Sequence, residues 1–286
     1  MRKSQLIYQY IREQGAVSKQ DIVIGLGLSL PTITQNLNNL AELGLIDTSK
    51  KISNTGGRNA TAYSYIEKAR YAVGLYLNRH HINCVAVDLS GNVISLIRVR
   101  ENFDLNDDNY LRKIGETVEE VKKDTGLPDD RFLGVGIAVQ GLISDDGERV
   151  TYGLTLNFTG VTRADIAKYI PYHNRLFHDS AAAGYAEVWD RNDLDDAFYL
   201  SLSNSVGGAV IVANKIFEGE RRKSGEIGHM TIIPKAGDRC YCGQRGCFDT
   251  VCRANVLAEY ADGDLEKFFE LLETKDLGAR RHWNRY

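Results

Sequence analysis

Residues 224–249 read SGEIGHMTIIPKAGDRCYCGQRGCFD, a stretch that brings His229, Cys240, Cys242 and Cys247 within nineteen residues of one another. Gly237, Gly243 and Gly246 punctuate it. Thiolate and imidazole are the ligands that a four-coordinate zinc ion prefers, and short Cys spacings bordered by glycine let a loop turn back until several sulfurs converge on one ion. The other reading of these residues is a set of reduced, half-buried cysteines beside a core histidine. Three clustered thiols next to an imidazole favour the metal.

Working outward, the chain has 286 residues, and at roughly 150 residues per domain this suggests two folding units. Hydrophobic residues at 43% and charged residues at 26% are ordinary for a globular protein, which argues against a disordered chain. No apolar run approaches the roughly 20 residues that a spanning helix needs, and charges are spaced through the N-terminus, unlike a signal peptide. A cytoplasmic location with no membrane partner is the expectation. Four of the five cysteines fall between positions 240 and 252, and a reducing compartment would keep them available as ligands. The net charge of −3 is uneven: residues 1–70 carry nine Lys or Arg against five Asp or Glu, which leaves −7 for residues 71–286. A basic head on an acidic body fits a nucleic-acid-binding unit joined to a sensor or enzyme.

In the head, Leu6, Ile7, Tyr10 and Ile11 fall at helical spacing before Gly15. Ser18 with Asp21 three residues on predicts a capping box opening a short second helix, which Gly27 ends. Ser29 and Pro31 predict the start of a third, in which Ile33, Leu37 and Leu40 share the packing face. Its other face presents Thr32, Gln35, Asn36 and Asn39, uncharged donors and acceptors suited to base edges in a major groove. A hairpin is expected over residues 46–65, with Lys50, Lys51 and Arg58 placed for phosphates. Residues 1–68 therefore read as a winged helix-turn-helix that binds DNA. A protein–protein module with a solvated polar face is the plainer alternative.

From Tyr71 the texture becomes apolar runs between turns: YAVGLYL, INCVAVDL and NVISLIRV predict three strands. A helix over 109–125, a buried strand FLGVGIAV, a helix over 162–170 and a strand NRLFH follow. Asp179 then opens a helix at a strand-to-helix junction, where α/β folds commonly hold ligands. The pattern restarts with AFYLSLS and GGAVIVANKIF, implying two α/β lobes across a cleft.

With the helix-turn-helix pattern in front, SGEIGH and CYCGQRGCFD make the chain resemble the ROK family, which groups sugar-responsive repressors with sugar kinases on an actin-like, ribonuclease H-like two-lobed fold. The resemblance runs through about residue 260 and assigns residues 69–286 to the ROK sugar-binding domain. It implies carbohydrate contacts from Asn157, Asp179, Glu226, His229 and Asp249, and zinc ligation by His229, Cys240, Cys242 and Cys247. The family usually has Glu where Asp249 stands. Carboxylates accept bonds from sugar hydroxyls and Asn both donates and accepts, so the set suits an uncharged polyol. Taken singly, Asp179 is a helix cap, Glu226 a loop acid and Asn157 a turn former.

Active kinases of the family carry a phosphate loop resembling DxGGTK; the corresponding residues here, 76–81, read YLNRHH. A second loop, GTGIGGG in kinases, reads SNSVGGA over 203–209. Phosphoryl transfer depends on such loops for positioning and charge stabilisation. The expectation is therefore no enzyme activity: a repressor of carbohydrate genes, with operator DNA and a monosaccharide effector as partners, structural zinc, and a homodimer as the default state. The rival is an ATP-dependent sugar kinase with an accessory DNA-binding head. After Asp249 only helix-like stretches over 253–261 and 265–273 are expected, where the family usually continues through further units, so the second lobe is expected to be incomplete, with Leu265, Phe268, Phe269 and Leu272 short of packing partners.

Overall fold

The computed structural model describes residues 3–52, 60–189 and 195–286. Two compact units divide it: one comprises Met1–Ala72, Val87–Ile94 and Leu127–Leu133, the other Val73–Ala86, Ser95–Gly126 and Gly134–Tyr286.

In the first unit, helices α1 (Lys3–Gln14), α2 (Lys19–Leu26) and α3 (Leu30–Glu42) bury Ile7, Ile11, Ile22, Ile33, Leu37 and Leu40 in one core. Ser18 caps α2 through a capping box with Asp21, and Gly27 leaves the helix in the left-handed conformation at φ 62. Ile22 is the residue of α2 that is fully enclosed, with Val23 and Leu26 partly buried against the same core, because eight residues span little more than two turns. Four short strands follow: β1 (Ile46–Asp47) pairs antiparallel with β4 (Ser64–Tyr65), and β2 (Lys51–Ile52) with β3 (Ala60–Thr61). Polar ties hold the rest of the unit: Leu89 N–H donates to the Glu67 carbonyl at 3.1 Å, the Tyr65 and Ser90 hydroxyls lie 2.6 Å apart, and Arg131 Nη1 donates to the Lys68 carbonyl at 3.1 Å.

The second unit is built on a five-stranded sheet. Its strands are β5 (Tyr71–Leu77), β6 (His81–Asp88), β7 (Val93–Arg100), β8 (Phe132–Val139) and β11 (Asn174–His178), in the order β11-β8-β5-β6-β7. In β5 and β6 every second side chain is buried, as the pleat requires of apolar runs. Strands β8 and β11 are parallel, with Val139 opposite His178, so their carboxyl ends finish side by side. Helix α4 (Asp108–Asp124), capped by Asp107, buries Tyr110, Leu111, Ile114, Val118 and Val121 at helical spacing. The small pair β9 (Leu142–Ile143) and β10 (Val150–Tyr152) and the one-turn α5 (Arg163–Ile166) fill the connection to β11. The longer helix expected over 162–170 stops at Ile166, where Ala167 leaves helical geometry at ψ 19.

Helix α6 (Asp179–Val188) leads to the second sheet, an antiparallel set of β12 (Ala197–Leu202), β13 (Val206–Val212) and β14 (Lys215–Ile216). Helices α7 (Phe248–Cys252), α8 (Ala254–Ala258), α9 (Leu265–Glu273) and α10 (Leu277–Arg285) follow the cysteine loop. Here the structure departs from the sequence reading: residues expected to trail off form α10, capped by the Asp276 carboxylate on Ala279 N–H. Its Ala279 closes over Phe268, which is fully buried with Leu257 and Ala261, while Phe269 remains exposed. No helix among the described residues is long and apolar enough to cross a membrane.

Candidate functional site

The carboxyl ends of β8 and β11 open into a cavity whose lining includes Gln140, Tyr152, Thr155, His178, Asp179, Ser201, Ser203, Ser205, Glu226, His229 and Tyr241. Strand termination puts Gln140 and His178 there, and the start of α6 adds Asp179. His178 Nε2 lies 3.5 Å from Asp179 Oδ1 and 3.9 Å from Glu226 Oε1, while His229 Nε2 lies 3.7 Å from Glu226 Oε2. These separations are longer than ordinary hydrogen bonds, and Asp179 Oδ1 instead accepts the Ser180 N–H at 2.8 Å. Burial pushes the Asp179 carboxyl above its usual range, against the pull of His178. The Tyr76 hydroxyl, which accepts a hydrogen bond from Gln140 Nε2 at 3.2 Å, is pushed up to about 12 by burial and by the charge of Asp179.

Beside the cavity, the ligand atoms of His229, Cys240, Cys242 and Cys247 all lie within 4.8 Å of one another. Cys240 Sγ is 3.6 Å from His229 Nδ1, and Cys242 Sγ is 3.7 Å from Cys247 Sγ. A tetrahedral ion with metal–sulfur bonds of about 2.3 Å and metal–nitrogen bonds of about 2.0 Å has S···S edges of about 3.8 Å and S···N edges of about 3.5 Å. These two edges match a four-coordinate metal, and the sulfur–sulfur separation is far too long for a disulfide at about 2.05 Å. Burial pushes the Cys240 thiol up to about 12 and raises that of Cys247, so a metal would displace protons to bind.

Backbone geometry assembles this cluster. Ile232 and Ile233 N–H both donate to the Gly246 carbonyl, at 2.8 and 3.1 Å, and Cys240 N–H donates to the Gln244 carbonyl at 2.8 Å. Gly246 sits at φ 71, where a Cβ would overlap the Ile233 carbonyl, so the tight return of the loop admits no side chain. His229 ends the turn that begins at Glu226, and its ring meets Tyr241 edge-on at 5.0 Å.

Asp179, Glu226 and His229 thus share the cavity, whereas Asn157 and Asp249 are absent from the lining described above. Asn157 is exposed at φ 55 in a compact turn, its N–H on the Leu154 carbonyl at 3.3 Å. The wall its loop contributes is Leu154 and Thr155. Asp249 is only 1% exposed, and its Oδ1 accepts the Val206 N–H at 2.7 Å, which ties α7 to the start of β13. His178, Gln140, Tyr152 and Tyr241 escaped the sequence reading. A signal existed for His178 and Gln140: each falls at the carboxyl end of a strand, where parallel neighbours open a crevice.

Around the turn after β5, Asn78 Oδ1 accepts the backbone N–H groups of His80 at 3.0 Å and His81 at 2.9 Å, and Arg79 Nη2 donates to the Thr155 carbonyl at 2.7 Å. At the other loop the two retained glycines have packing reasons: a Cβ on Gly207 would overlap Ser180 Oγ, and one on Gly208 would overlap Ile227. On α3, Gln35 and Asn39 are exposed, while Thr32 and Asn36 are half-buried. Asn36 Nδ2 donates to the Thr32 carbonyl at 2.7 Å, and the Thr32 hydroxyl lies 2.9 Å from that of Ser29. Lys50 and Lys51 are exposed, and Arg58 lies outside the described residues.

Residues 72–286 match the sequence profile of the ROK family. The xylose repressor of Bacillus subtilis (strain 168) is 25% identical over 267 residues, which cover 88% of this chain and 66% of the repressor. The chain thus spans a little under two thirds of that relative's length. Among solved structures, a ROK family transcriptional regulator described as a homolog of the E. coli MLC protein superimposes with a TM-score of 0.71 at 22% identity, covering 91% of this chain and 68% of that one. A ROK family glucokinase from Streptomyces griseus, solved with glucose and AMPPNP, gives a TM-score of 0.62 at 19% identity, covering 75% of each chain. Both likenesses carry the α/β fold.

Proposed function

The chain belongs to the ROK family, and from that footing we propose that it is a sugar-responsive transcriptional repressor of carbohydrate genes, not a sugar kinase. The observation that carries this reading is the Asn78 side chain, which occupies the N–H groups of His80 and His81. A phosphate gripped by a loop needs such donors unoccupied and close to the backbone. The packing of Gly207 and Gly208 against Ser180 and Ile227 supports the same reading, since it explains those glycines without a nucleotide.

In this reading, helices α1–α3 with strands β1–β4 are a winged helix-turn-helix. Gln35 and Asn39 meet base edges, with Thr32 and Asn36 setting the start of the helix. Lys50, Lys51 and Arg58 meet phosphates. Regulators of this type read two half-sites as homodimers, and a dimer is the state proposed here. The effector is a monosaccharide in the cavity, its hydroxyls donating to Asp179 and Glu226 and meeting the imidazoles of His178 and His229. Asp249 acts behind this surface by fixing α7 to β13, and Asn157 by shaping the loop that carries Thr155.

Zinc is the ion that the three thiols and one imidazole suit best, held by His229 Nδ1, Cys240, Cys242 and Cys247. With four protein ligands the shell is full, so the ion would supply rigidity and no reactive water. Its effect falls on Glu226 and His229, which belong to one turn.

Kinase chemistry retains one argument, the half-buried Asp179 carboxyl, raised above its usual range by desolvation, at the site of a candidate base. A coupled ADP-release assay with glucose, xylose and N-acetylglucosamine separates the readings: no turnover is expected, and sugar-dependent turnover would defeat the repressor. Selection of duplexes from a random pool, repeated with each sugar, is expected to enrich a two-fold symmetric site whose retention changes with one sugar.

A further inference from the structure

We infer that Arg222 is a positioning residue for the effector site: its guanidinium clasps the β9–β10 turn to the loop that delivers Glu226, and so sets how firmly the cavity holds its ligand. This rests on the sugar-sensor reading above and adds to it a residue outside the cavity lining. Toward the β9–β10 turn, Arg222 Nη1 donates to the Ser144 carbonyl at 3.1 Å and Nη2 to the Asp145 carbonyl at 3.4 Å, while Nε lies 3.3 Å from Asp145 Oδ1. Toward its own loop, Nε lies 3.3 Å from Glu218 Oε2. The Asp145 side chain is 91% exposed, so water screens that pair and the two carbonyl bonds carry more of the grip. Only a guanidinium offers donors in a fixed fork that can reach several acceptors at once.

The backbone is strained to place this side chain. Arg222 sits at φ 52, a left-handed conformation that is unfavourable for a residue with a Cβ and that persists where the surroundings over-determine it. Its N–H closes a turn on the Gly219 carbonyl at 3.3 Å, and the Ser224 N–H returns to the Glu218 carbonyl at 3.3 Å. The next turn begins at once: Glu226 N–H donates to the Lys223 carbonyl at 3.1 Å, and His229 N–H to the Glu226 carbonyl at 3.1 Å. Gly225 between them packs so close that a Cβ would overlap the Gly208 carbonyl oxygen. The run from the clasp to the Glu226 carboxylate therefore has little slack. Leu142 of β9 lines the same cavity as Glu226, so the clasp fixes two parts of the cavity wall against each other. A second cavity, of about 100 Å³, also reaches His178 and Glu226 and has Arg222 and Glu218 in its lining, so releasing the clasp would widen the access of water to Glu226 from that side.

The test is Arg222→Gly in the full chain, because glycine relieves the left-handed backbone while it deletes the clasp. A residue that served only the stability of the fold would leave binding unchanged at a temperature where both proteins are folded. Calorimetric titration with glucose, xylose and N-acetylglucosamine should find at least one sugar that binds the parent and binds Arg222→Gly about tenfold more weakly, the scale of one lost charge-assisted bond. Arg222→Lys, which keeps the charge without the fork, should weaken binding less. Salt supplies a second readout: a neutral sugar has no long-range interaction with the charges of the protein, so a salt effect on its affinity reports ion pairs within the protein. Between about 0.05 M and about 1 M salt the affinity of the parent should fall about twofold, while that of Arg222→Gly stays level. Binding by Arg222→Gly within about twofold of the parent overturns the inference and leaves the sensor reading standing, as do equal salt slopes in the two proteins. If no sugar binds the parent, the sugar reading itself fails and this inference with it.

Discussion

Replacing Asp249 separates two roles that one buried carboxylate can play. Its Oδ1 takes the Val206 N–H at 2.7 Å, and the residue is 1% exposed, so no water can substitute. Asp249→Ala leaves a buried N–H without an acceptor and removes a charge-assisted bond, at a cost of about 2–3 kcal/mol. Asp249→Asn retains an acceptor oxygen but forfeits the charge, which roughly halves the strength of the bond and costs about 1 kcal/mol. For a unit of this size each kcal/mol lowers the melting temperature by about 2–4 °C, so the alanine variant should melt about 5–10 °C lower and the asparagine variant about 2–4 °C lower. Thermal unfolding followed by circular dichroism, with sugar titrations on both variants at a temperature where they are folded, measures this. Sugar affinity of the asparagine variant should be within a few-fold of the parent. An alanine variant that melts like the parent yet loses sugar binding would refute the bracing role and place the carboxylate on the ligand.

Cys242→Ser should reduce bound zinc, measured by mass spectrometry after exhaustive dialysis, and should weaken the sugar response along with the melting temperature; full zinc content would show that Cys242 is not a ligand. Asp108 offers a pH test. Hydrogen bonds from Lys168 and Tyr169 hold its carboxyl at about 2, below the ordinary 3.8. A depressed folded-state value means that its stabilisation is present above about pH 4 and is lost as the pH falls toward 2. Asp108→Asn should therefore be less stable than the parent at neutral pH, with the two curves converging in acid; a gap that persists at pH 2 would contradict this.

Where one physical signal dominated, the sequence was readable. YAVGLYL and FLGVGIAV are β5 and β8 to the residue, because long apolar runs between turn formers leave few alternatives. The capping box of α2 followed from Ser18 and Asp21 alone. Helix α10 was missed because its one fully buried residue is Ala279, too small to mark a stripe among Arg280, Arg281 and Arg285. In the cavity, Asp179, Glu226 and His229 were legible from their motifs. His178 was not, since a histidine ending a strand looks like any other until the neighbouring strand is known. Asn157 and Asp249 were read as sugar contacts through the family resemblance; the left-handed turn at one and the Val206 N–H on the other give each a structural role as well, and for Asp249 that role had no signal in the sequence.

The first unit is entered by the chain three times, at residues 1–72, 87–94 and 127–133. A fragment cut after residue 72 would strip the Tyr65 hydroxyl of Ser90, the Glu67 carbonyl of Leu89 and the Lys68 carbonyl of Arg131. The N-terminal helices are therefore not a cassette that can be lifted out or grafted onto another sensor at a single junction. Any chimera that is to keep this head intact must carry two loops of its host along with it.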